Sequence, residues 1–131
     1  INIYDDFAHH PTAISSSIAS MRQRNPGRRV LVAVEPRSNT MKLGIHNKNL
    51  ANSLREGDYI WMYKPKGMDK NFDSSLESLG NRAQIHSDYD ELVLEMSKKI
   101  KSGDQIIFMS NGSFGSVRQK LTNILKKAYK V

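Results

Sequence analysis

The chain has 131 residues and a net charge of +7, from 20 Lys and Arg against 13 Asp and Glu. A hydrophobic content of 38% and a charged content of 25% predict a folded globular chain rather than a disordered one. The absence of cysteine excludes a disulfide framework, a thiolate zinc site and a cysteine nucleophile. The longest apolar run, Val30 to Val34, is far shorter than the roughly 20 residues that a membrane-spanning helix needs.

Apolar periodicity and turn residues predict an alternation of strands and helices along the chain. Strands are expected at 1–5, 29–35, 59–63, 84–86 and 105–109. Helices are expected from 11 to about 24, at 47–56, at 72–79 with Gly80 as its end, from 87 to 101, and at 114–128. The run Val30 to Val34 is typical of a strand that is buried on both faces of a parallel sheet.

Two helices carry clear apolar stripes, and a third carries a capping signal. In the first helix the stripe is Ile14, Ile18 and Met21, at i, i+4 and i+7. Ser87 and Asp90 resemble a capping box at the start of the fourth helix. The last helix is expected to bury one face, formed by Val117, Leu121, Leu125 and Ala128.

Strands that alternate with helices imply βαβ crossovers. We therefore predict an α/β, three-layer Rossmann-like domain with a mostly parallel sheet of five or six strands and helices on both faces. The sequence contains no repeat and no internal linker, so residues 1–131 are interpreted as a single domain. In such sheets ligands bind beyond the carboxyl ends of the strands, and three segments of the sequence follow strand ends.

The first of these segments, residues 5–10, reads Asp-Asp-Phe-Ala-His-His. Its carboxylates, Asp5 and Asp6, suit either a local capping role or acceptance of hydrogen bonds from a ribose. His9 and His10 are adjacent, so their side chains diverge on a regular element and do not both face one metal ion. We assign no metal site here.

The second segment, residues 35–41, reads Glu-Pro-Arg-Ser-Asn-Thr-Met. Pro36 favours an extended exit from the strand, after which Arg37 is expected to project from the sheet edge. Its planar guanidinium suits a bidentate grip on a carboxylate or phosphate, although a surface salt bridge would also account for it.

The third segment, residues 110–115, reads Ser-Asn-Gly-Ser-Phe-Gly and leads into the last helix. Its glycines permit close backbone approach, and a helix N-terminus attracts anions. Glycines before helices are common, so the spacing alone does not separate an anion site from an ordinary loop. The segment matches neither a P-loop nor GxGxxG.

The positive charge is concentrated at the end of the chain. From residue 114 onwards there are no acids and five bases, namely Arg118, Lys120, Lys126, Lys127 and Lys130. A solvated helix face, attraction of small anions and nucleic-acid binding all fit this pattern. Only Tyr129 is available for base stacking, which disfavours the third alternative.

These three motifs, in this order, resemble those of the C-terminal domain of the Mur ligases, and the resemblance covers nearly the whole chain. The segment of residues 5–12 resembles the motif that opens that domain. Residues 35–41 and 109–115 are most similar to the family member that adds the tripeptide L-alanyl-γ-D-glutamyl-meso-diaminopimelate to UDP-N-acetylmuramate. The family consists of ATP-dependent amide-forming ligases of peptidoglycan synthesis.

The resemblance implies a three-domain cytoplasmic enzyme of which this chain is one piece, consistent with its start at Ile1 rather than Met. The other two domains would hold the UDP-sugar and, with a P-loop, ATP and Mg²⁺. No GxxxxGK[ST] occurs in this sequence, so the chain alone is expected to be inactive and no catalytic residue is assigned. The expected partners are UDP-N-acetylmuramate, the murein tripeptide and those two domains, with no nucleic acid and no membrane.

The resemblance also implies roles for individual residues. Asp6, His9 and His10 match the positions that contact ATP. The positions that match those holding the amine substrate are Arg37, Ser38, Asn39, Ser110, Asn111, Gly112, Ser113, Phe114 and Gly115. Two alternatives stay open, namely the ligase that adds free L-alanine and a non-catalytic basic module that binds nucleic acid or other anions.

Overall fold

The computed structural model describes residues 1–6, 11–35, 47–65, 74–110 and 114–129. The five strands are β1 (Asn2–Asp6), β2 (Val30–Val34), β3 (Tyr59–Tyr63), β4 (Ala83–His86) and β5 (Gln105–Met109). The four α-helices are α1 (Pro11–Arg24), α2 (Asn47–Leu54), α3 (Tyr89–Lys99) and α4 (Val117–Tyr129). Two 3₁₀ segments, Ser74–Arg82 and Phe114–Ser116, precede β4 and α4.

The strands of the described residues form one sheet in the order β1-β5-β2-β3-β4, and every pair is parallel. The predicted α/β class, the parallel sheet and the coverage of both faces by helices are therefore confirmed, with five strands in the described part of the chain. The chain reaches β5 last, yet β5 lies between β1 and β2.

Side chains alternate between the two faces of the sheet, and each face has its own core. On one face Val32 and Ile107 pack among residues of α1, α2 and the first 3₁₀ segment. On the other face Leu31 and Phe108 pack among residues of α3 and α4. Because both faces are covered, every residue of β2 and β5 is buried although successive side chains point to opposite faces.

The predicted helix faces are mostly correct. Ile14, Ile18 and Met21 are buried, as the periodicity of α1 indicates. In α4 the residues Val117, Leu121 and Leu125 are buried. Ala128 is exposed, contrary to prediction.

The predicted start and end of α3 were wrong. Its N-cap is Asp88 rather than Ser87, because the Asp88 carboxylate accepts hydrogen bonds from the N–H groups of Asp90 and Glu91 at 2.7 and 3.2 Å. The helix ends at Lys99 rather than residue 101. Ile100 is extended there, and the N–H of Lys101 donates instead to the Asp104 carboxylate at 2.7 Å.

Gly80 interrupts the predicted helix at 72–79, as expected, although residues 72 and 73 lie outside the described residues. Its backbone is non-helical, with φ 60° and ψ −140°, and a further 3₁₀ turn beyond this kink reaches Arg82. That backbone region is essentially restricted to glycine. The kink lets Arg82 donate to the carbonyl oxygens of Arg55 and Gly57 at 3.0 and 2.9 Å, which fastens the segment to the turn before β3.

Candidate functional site

The strand order brings together the three segments that the sequence singled out. They follow β1, β2 and β5, which are neighbours in the sheet. Asp6 and Val34 are both in register with Met109, so the three strands end at the same level. The N–H of Ser110 donates to the carbonyl of Asp6, and the N–H of Glu35 donates to that of Met109, at 3.1 and 2.9 Å.

The connections that leave these strands run to opposite faces. The chain after β1 leads to α1 on one face, whereas the chain after β5 leads to α4 on the other. Such a reversal between neighbouring parallel strands opens a crevice at their carboxyl ends, which is where open α/β sheets bind ligands. We take this edge of the sheet as the candidate site.

Asp6 ends β1 on the α1 face of the sheet. Its carboxylate accepts a hydrogen bond from the hydroxyl of Ser17 at 2.7 Å. A cleft of about 300 Å³ adjoins it between β1 and α1, where Ser16, Ser20 and Arg24 contribute to the lining. A carboxylate accepts hydrogen bonds from hydroxyl groups, so Asp6 brings an acceptor to the border of this cleft.

Asp5 points to the opposite face and has a different role. Its carboxylate forms an ion pair with Arg118 of α4, and Arg118 also donates to the carbonyl of Ile3 at 3.5 Å. Both partners are about half exposed, with 56% and 47% of their side-chain surface accessible. The pair fastens the start of α4 to the edge strand beside the candidate site.

A buried carboxylate lies at this edge, at a position that was not among the predicted site residues. Glu35, only 2% exposed, follows β2 directly. Its Oε1 accepts a hydrogen bond from the hydroxyl of Ser110 at 2.7 Å, and its Oε2 accepts one from the hydroxyl of Tyr89. An acid at the end of an otherwise apolar strand was the available signal for Glu35. Tyr89, 54 positions away, had none.

Burial and the hydrogen bond to Glu35 raise the pKa of Tyr89 well above its ordinary value. Both causes favour the neutral phenol. Tyr89 is therefore a protonated hydrogen-bond donor throughout the physiological pH range.

The chain enters α4 through an unusual turn. Phe114 and Ser116 have positive φ values of 52° and 62°, which L-residues other than Asn and Asp rarely adopt. Phe114 is buried and packs edge-on against Phe108 and Tyr89, with centroid distances of 5.7 and 6.2 Å. Aromatic packing thus holds the backbone of this turn in place.

The structure describes only part of the predicted site. Asp6, Ser110 and Phe114 lie at the shared sheet edge, and Gly115 lies in the 3₁₀ turn that leads to α4. Eight predicted residues lie outside the described ranges, namely His9, His10, Arg37, Ser38, Asn39, Asn111, Gly112 and Ser113. Their roles stay predictions.

The basic terminal segment is partly neutralised. Arg118 pairs with Asp5, and Lys120 pairs with Asp90 at 2.9 Å. Lys126 and Lys127 are exposed on α4. Pairing of two of the cations with acids favours a solvated helix face over a surface that binds polyanions.

Across the five described ranges, no three His, Cys, Asp or Glu side chains are grouped so that they could hold a metal ion. Within the same residues, no helix has the length and apolar character to cross a membrane.

Residues 1–112 match the family model described as "Mur ligase, glutamate ligase domain". The chain belongs to the Mur ligase family. It is 40% identical over 128 residues to the UDP-N-acetylmuramate–L-alanyl-γ-D-glutamyl-meso-2,6-diaminoheptandioate ligase of Escherichia coli. This match covers 97% of the chain and 28% of the relative. Identity to a UDP-N-acetylmuramate–L-alanine ligase, from Symbiobacterium thermophilum, is 27% over 137 residues, at 96% and 28% coverage.

Solved structures agree with this assignment. A domain of a UDP-N-acetylmuramate:L-alanyl-γ-D-glutamyl-diaminopimelate ligase from Haemophilus ducreyi matches this Mur ligase domain with a TM-score of 0.77 and 35% identity, over 94% of this chain and 89% of that one. The MurF ligase of Thermotoga maritima, solved in complex with ADP, shares the fold with a TM-score of 0.65 at 17% identity, over 96% and 28% of the two chains. This Mur ligase domain spans just over a quarter of the curated relatives it matches.

Proposed function

We propose that this Mur ligase domain is the amine-substrate-binding part of an ATP-dependent ligase. The reaction joins L-alanyl-γ-D-glutamyl-meso-diaminopimelate to UDP-N-acetylmuramate in peptidoglycan recycling. Residues 1–131 form its C-terminal domain, and the UDP-sugar and ATPase domains belong to the rest of a cytoplasmic protein. The single observation that carries the proposal is the meeting of three family-type motifs at the carboxyl ends of β1, β5 and β2.

The comparisons support the tripeptide as the amine substrate. Identity is 40% to the relative that is named for this tripeptide, and 27% to the relative that is named for L-alanine, at similar coverage of the chain. A tripeptide with several carboxylates also suits the contacts predicted from Arg37 and from the start of the last helix, because guanidinium and free N–H groups both bind carboxylates. We assign this contact to Arg37, Ser38, Asn39 and residues 110–115.

Asp6 suits the ribose of ATP. Its carboxylate lies beside the cleft between β1 and α1, and carboxylates accept hydrogen bonds from hydroxyl groups such as those of a ribose. Phosphate and Mg²⁺ need different donors, and this sequence has no P-loop to supply them. ATP would supply the phosphoryl group that activates the acceptor carboxylate. The task of this domain is then to hold the nucleotide, with His9 and His10 as further proposed ATP contacts, and to orient the attacking amine.

The proposal is tested with the complete protein. Purified enzyme is incubated with ATP, Mg²⁺, UDP-N-acetylmuramate and either the tripeptide or L-alanine, and the product is identified by mass while ADP release is followed. We expect an amide product with the tripeptide at a kcat/KM at least about tenfold above that with L-alanine, a difference of about 1.4 kcal/mol in transition-state binding. A preference for L-alanine would contradict the proposed substrate.

Arg37→Ala tests the assigned contact. Loss of a bidentate grip on a carboxylate is expected to raise the KM for tripeptide by at least about tenfold, with little change in the KM for UDP-N-acetylmuramate. The matched control is Arg55→Ala, since Arg55 is an exposed arginine in the turn before β3, at the opposite edge of the sheet. An unchanged KM for tripeptide would remove Arg37 from the site.

A further inference from the structure

Glu35, Tyr89 and Ser110 form a buried hydrogen-bonded group, here called the Glu35 cluster. The two oxygens of one carboxylate are held by hydroxyls from two different elements, the end of β5 and the start of α3. Glu35 is 2% exposed and Ser110 is 7% exposed. Removing a carboxylate from water is costly unless hydrogen bonds replace the lost solvation, and the two hydroxyls contribute to that replacement.

Every member of the cluster adjoins a part of the proposed substrate site. Glu35 directly precedes the segment that contains Arg37, and Ser110 directly precedes residues 111–113. Tyr89 contacts the ring of Phe114, whose positive φ marks the turn into α4. Rare backbone conformations of this kind persist only where the surroundings over-determine them, and they concentrate at functional sites.

Tyr89 is itself held rigidly. Its ring stacks on Tyr63 of β3 with a centroid distance of 4.1 Å and an interplanar angle of 8°. The cluster therefore connects the ends of β2 and β5 to Tyr89, whose ring is held by β3.

We propose that Glu35 is a positioning residue for the amine substrate. Its carboxylate, through Ser110 and Tyr89, fixes the points at which the chain leaves β2 and β5. The segments predicted to contact the substrate continue from these two points. Glu35 itself does not touch the substrate. This inference rests on the proposed function, and it assigns specificity for a long, multiply charged amine to a buried residue beneath the site.

The alternative is that the cluster only stabilises the fold, and Asp104 provides the matched control. Asp104 is also a buried carboxylate, 3% exposed, and it also joins separate elements through Arg29 and the N–H of Lys101. It lies just before β5, at the opposite edge of the sheet from the proposed site. A loss of stability without a change in substrate binding is what Asp104→Asn should give.

The experiment uses the complete enzyme with Glu35→Gln, Tyr89→Phe, Ser110→Ala, the double variant Glu35→Gln/Tyr89→Phe, and Asp104→Asn. Gln keeps the size of Glu35 but offers one acceptor oxygen instead of two. Tyr89→Phe and Ser110→Ala remove single hydroxyls and keep the carboxylate. For each variant the KM values for tripeptide and for UDP-N-acetylmuramate, kcat, and the thermal unfolding midpoint are measured.

We expect Glu35→Gln to raise the KM for tripeptide by at least about tenfold, with the KM for UDP-N-acetylmuramate within about twofold of wild type. Tyr89→Phe and Ser110→Ala should shift the same constant by smaller factors. The double variant should be no worse than Glu35→Gln alone, because residues that act as one unit are non-additive. Asp104→Asn should lower the unfolding midpoint and leave both KM values unchanged.

Two results would overturn the proposal. If the cluster variants lower the unfolding midpoint as Asp104→Asn does, without a selective change in the KM for tripeptide, the cluster is structural only, while the proposed function stands. If the wild-type enzyme forms no amide with the tripeptide, the proposed function fails and takes this inference with it. The wild-type reaction therefore separates the two failures.

Discussion

The Arg29–Asp104 pair gives the sharpest stability prediction for this domain. Nε and Nη2 of Arg29 donate to the two oxygens of Asp104 at 2.9 and 2.6 Å, and the N–H of Lys101 donates to the same carboxylate at 2.7 Å. The hydrogen bonds with Asp104 raise the pKa of Arg29 further above its ordinary value. We predict that Asp104→Ala lowers the free energy of unfolding by about 2–4 kcal/mol.

The magnitude follows from the burial of each partner. Removing one partner of a fully buried ion pair costs about 3–5 kcal/mol, mainly because the other charge is left unpaired. The Arg29 side chain is 31% exposed, so its guanidinium recovers some hydration after the change. Its Nη2 also keeps the carbonyl of Lys99 as an acceptor at 2.8 Å. The N–H of Lys101 loses its acceptor, which adds to the cost. The rehydration of Arg29 and its retained bond to Lys99 keep the total below the upper limit.

The assay is urea denaturation of the domain at neutral pH. The Haemophilus ducreyi relative, solved as a domain alone, supports the use of an isolated domain. Glu95→Ala is the control, since the Glu95–Lys98 pair lies within α3 at i, i+3 with Lys98 58% exposed, and its loss is expected to cost less than about 0.5 kcal/mol. A loss below about 1 kcal/mol for Asp104→Ala, at an unchanged dependence on urea, would refute the argument from burial.

The remaining predictions use the same titration. Gly80→Ala should lower the free energy of unfolding by about 1–3 kcal/mol, because φ is 60° at Gly80. No atom lies within 4 Å of a Cβ at this position, so the cost would come from the backbone alone, and a neutral result would contradict this. Asp88→Ala should cost about 0.5–2 kcal/mol and Asp88→Asn less, since Asn can also cap α3. Leu121→Ala should cost about 2–5 kcal/mol, and a cost near zero would contradict its complete burial. The pKa of Tyr89 is raised in the folded state, so the contribution of its phenol to stability is complete below about pH 10 and is lost above it. Above that pH the free energy of unfolding of wild type should fall faster than that of Tyr89→Phe. Parallel plots of the two free energies against pH would contradict this.

The elements themselves could be predicted from the sequence because their signals are local. The run Val30 to Val34 identified a strand buried on both faces, and the spacing of Ile14 and Ile18 identified the inner face of α1. Errors arose where two local signals compete. Ser87 and Asp88 are both good N-cap residues, and only the backbone geometry of the turn selects Asp88.

The candidate site could be predicted in part. Asp6, Ser110 and Phe114 lie at the predicted sheet edge. Glu35 was noticed as part of a motif but given no role, because its importance comes from Tyr89 and Ser110, which are 54 and 75 positions away. No local pattern reports a hydrogen bond across such separations.

By itself the sequence determined the elements, the parallel α/β class and the three motifs of the Mur ligase family, since periodicity, turn residues and motif order are properties of the chain. Only the tertiary structure decided that β5 lies between β1 and β2. Strand order depends on which long-range pairings bury both faces of the sheet, and a parallel strand can be reached from any neighbour through a crossover. That order brings the starts of the three motifs to neighbouring strand ends, where Glu35 and Ser110 are hydrogen-bonded to each other.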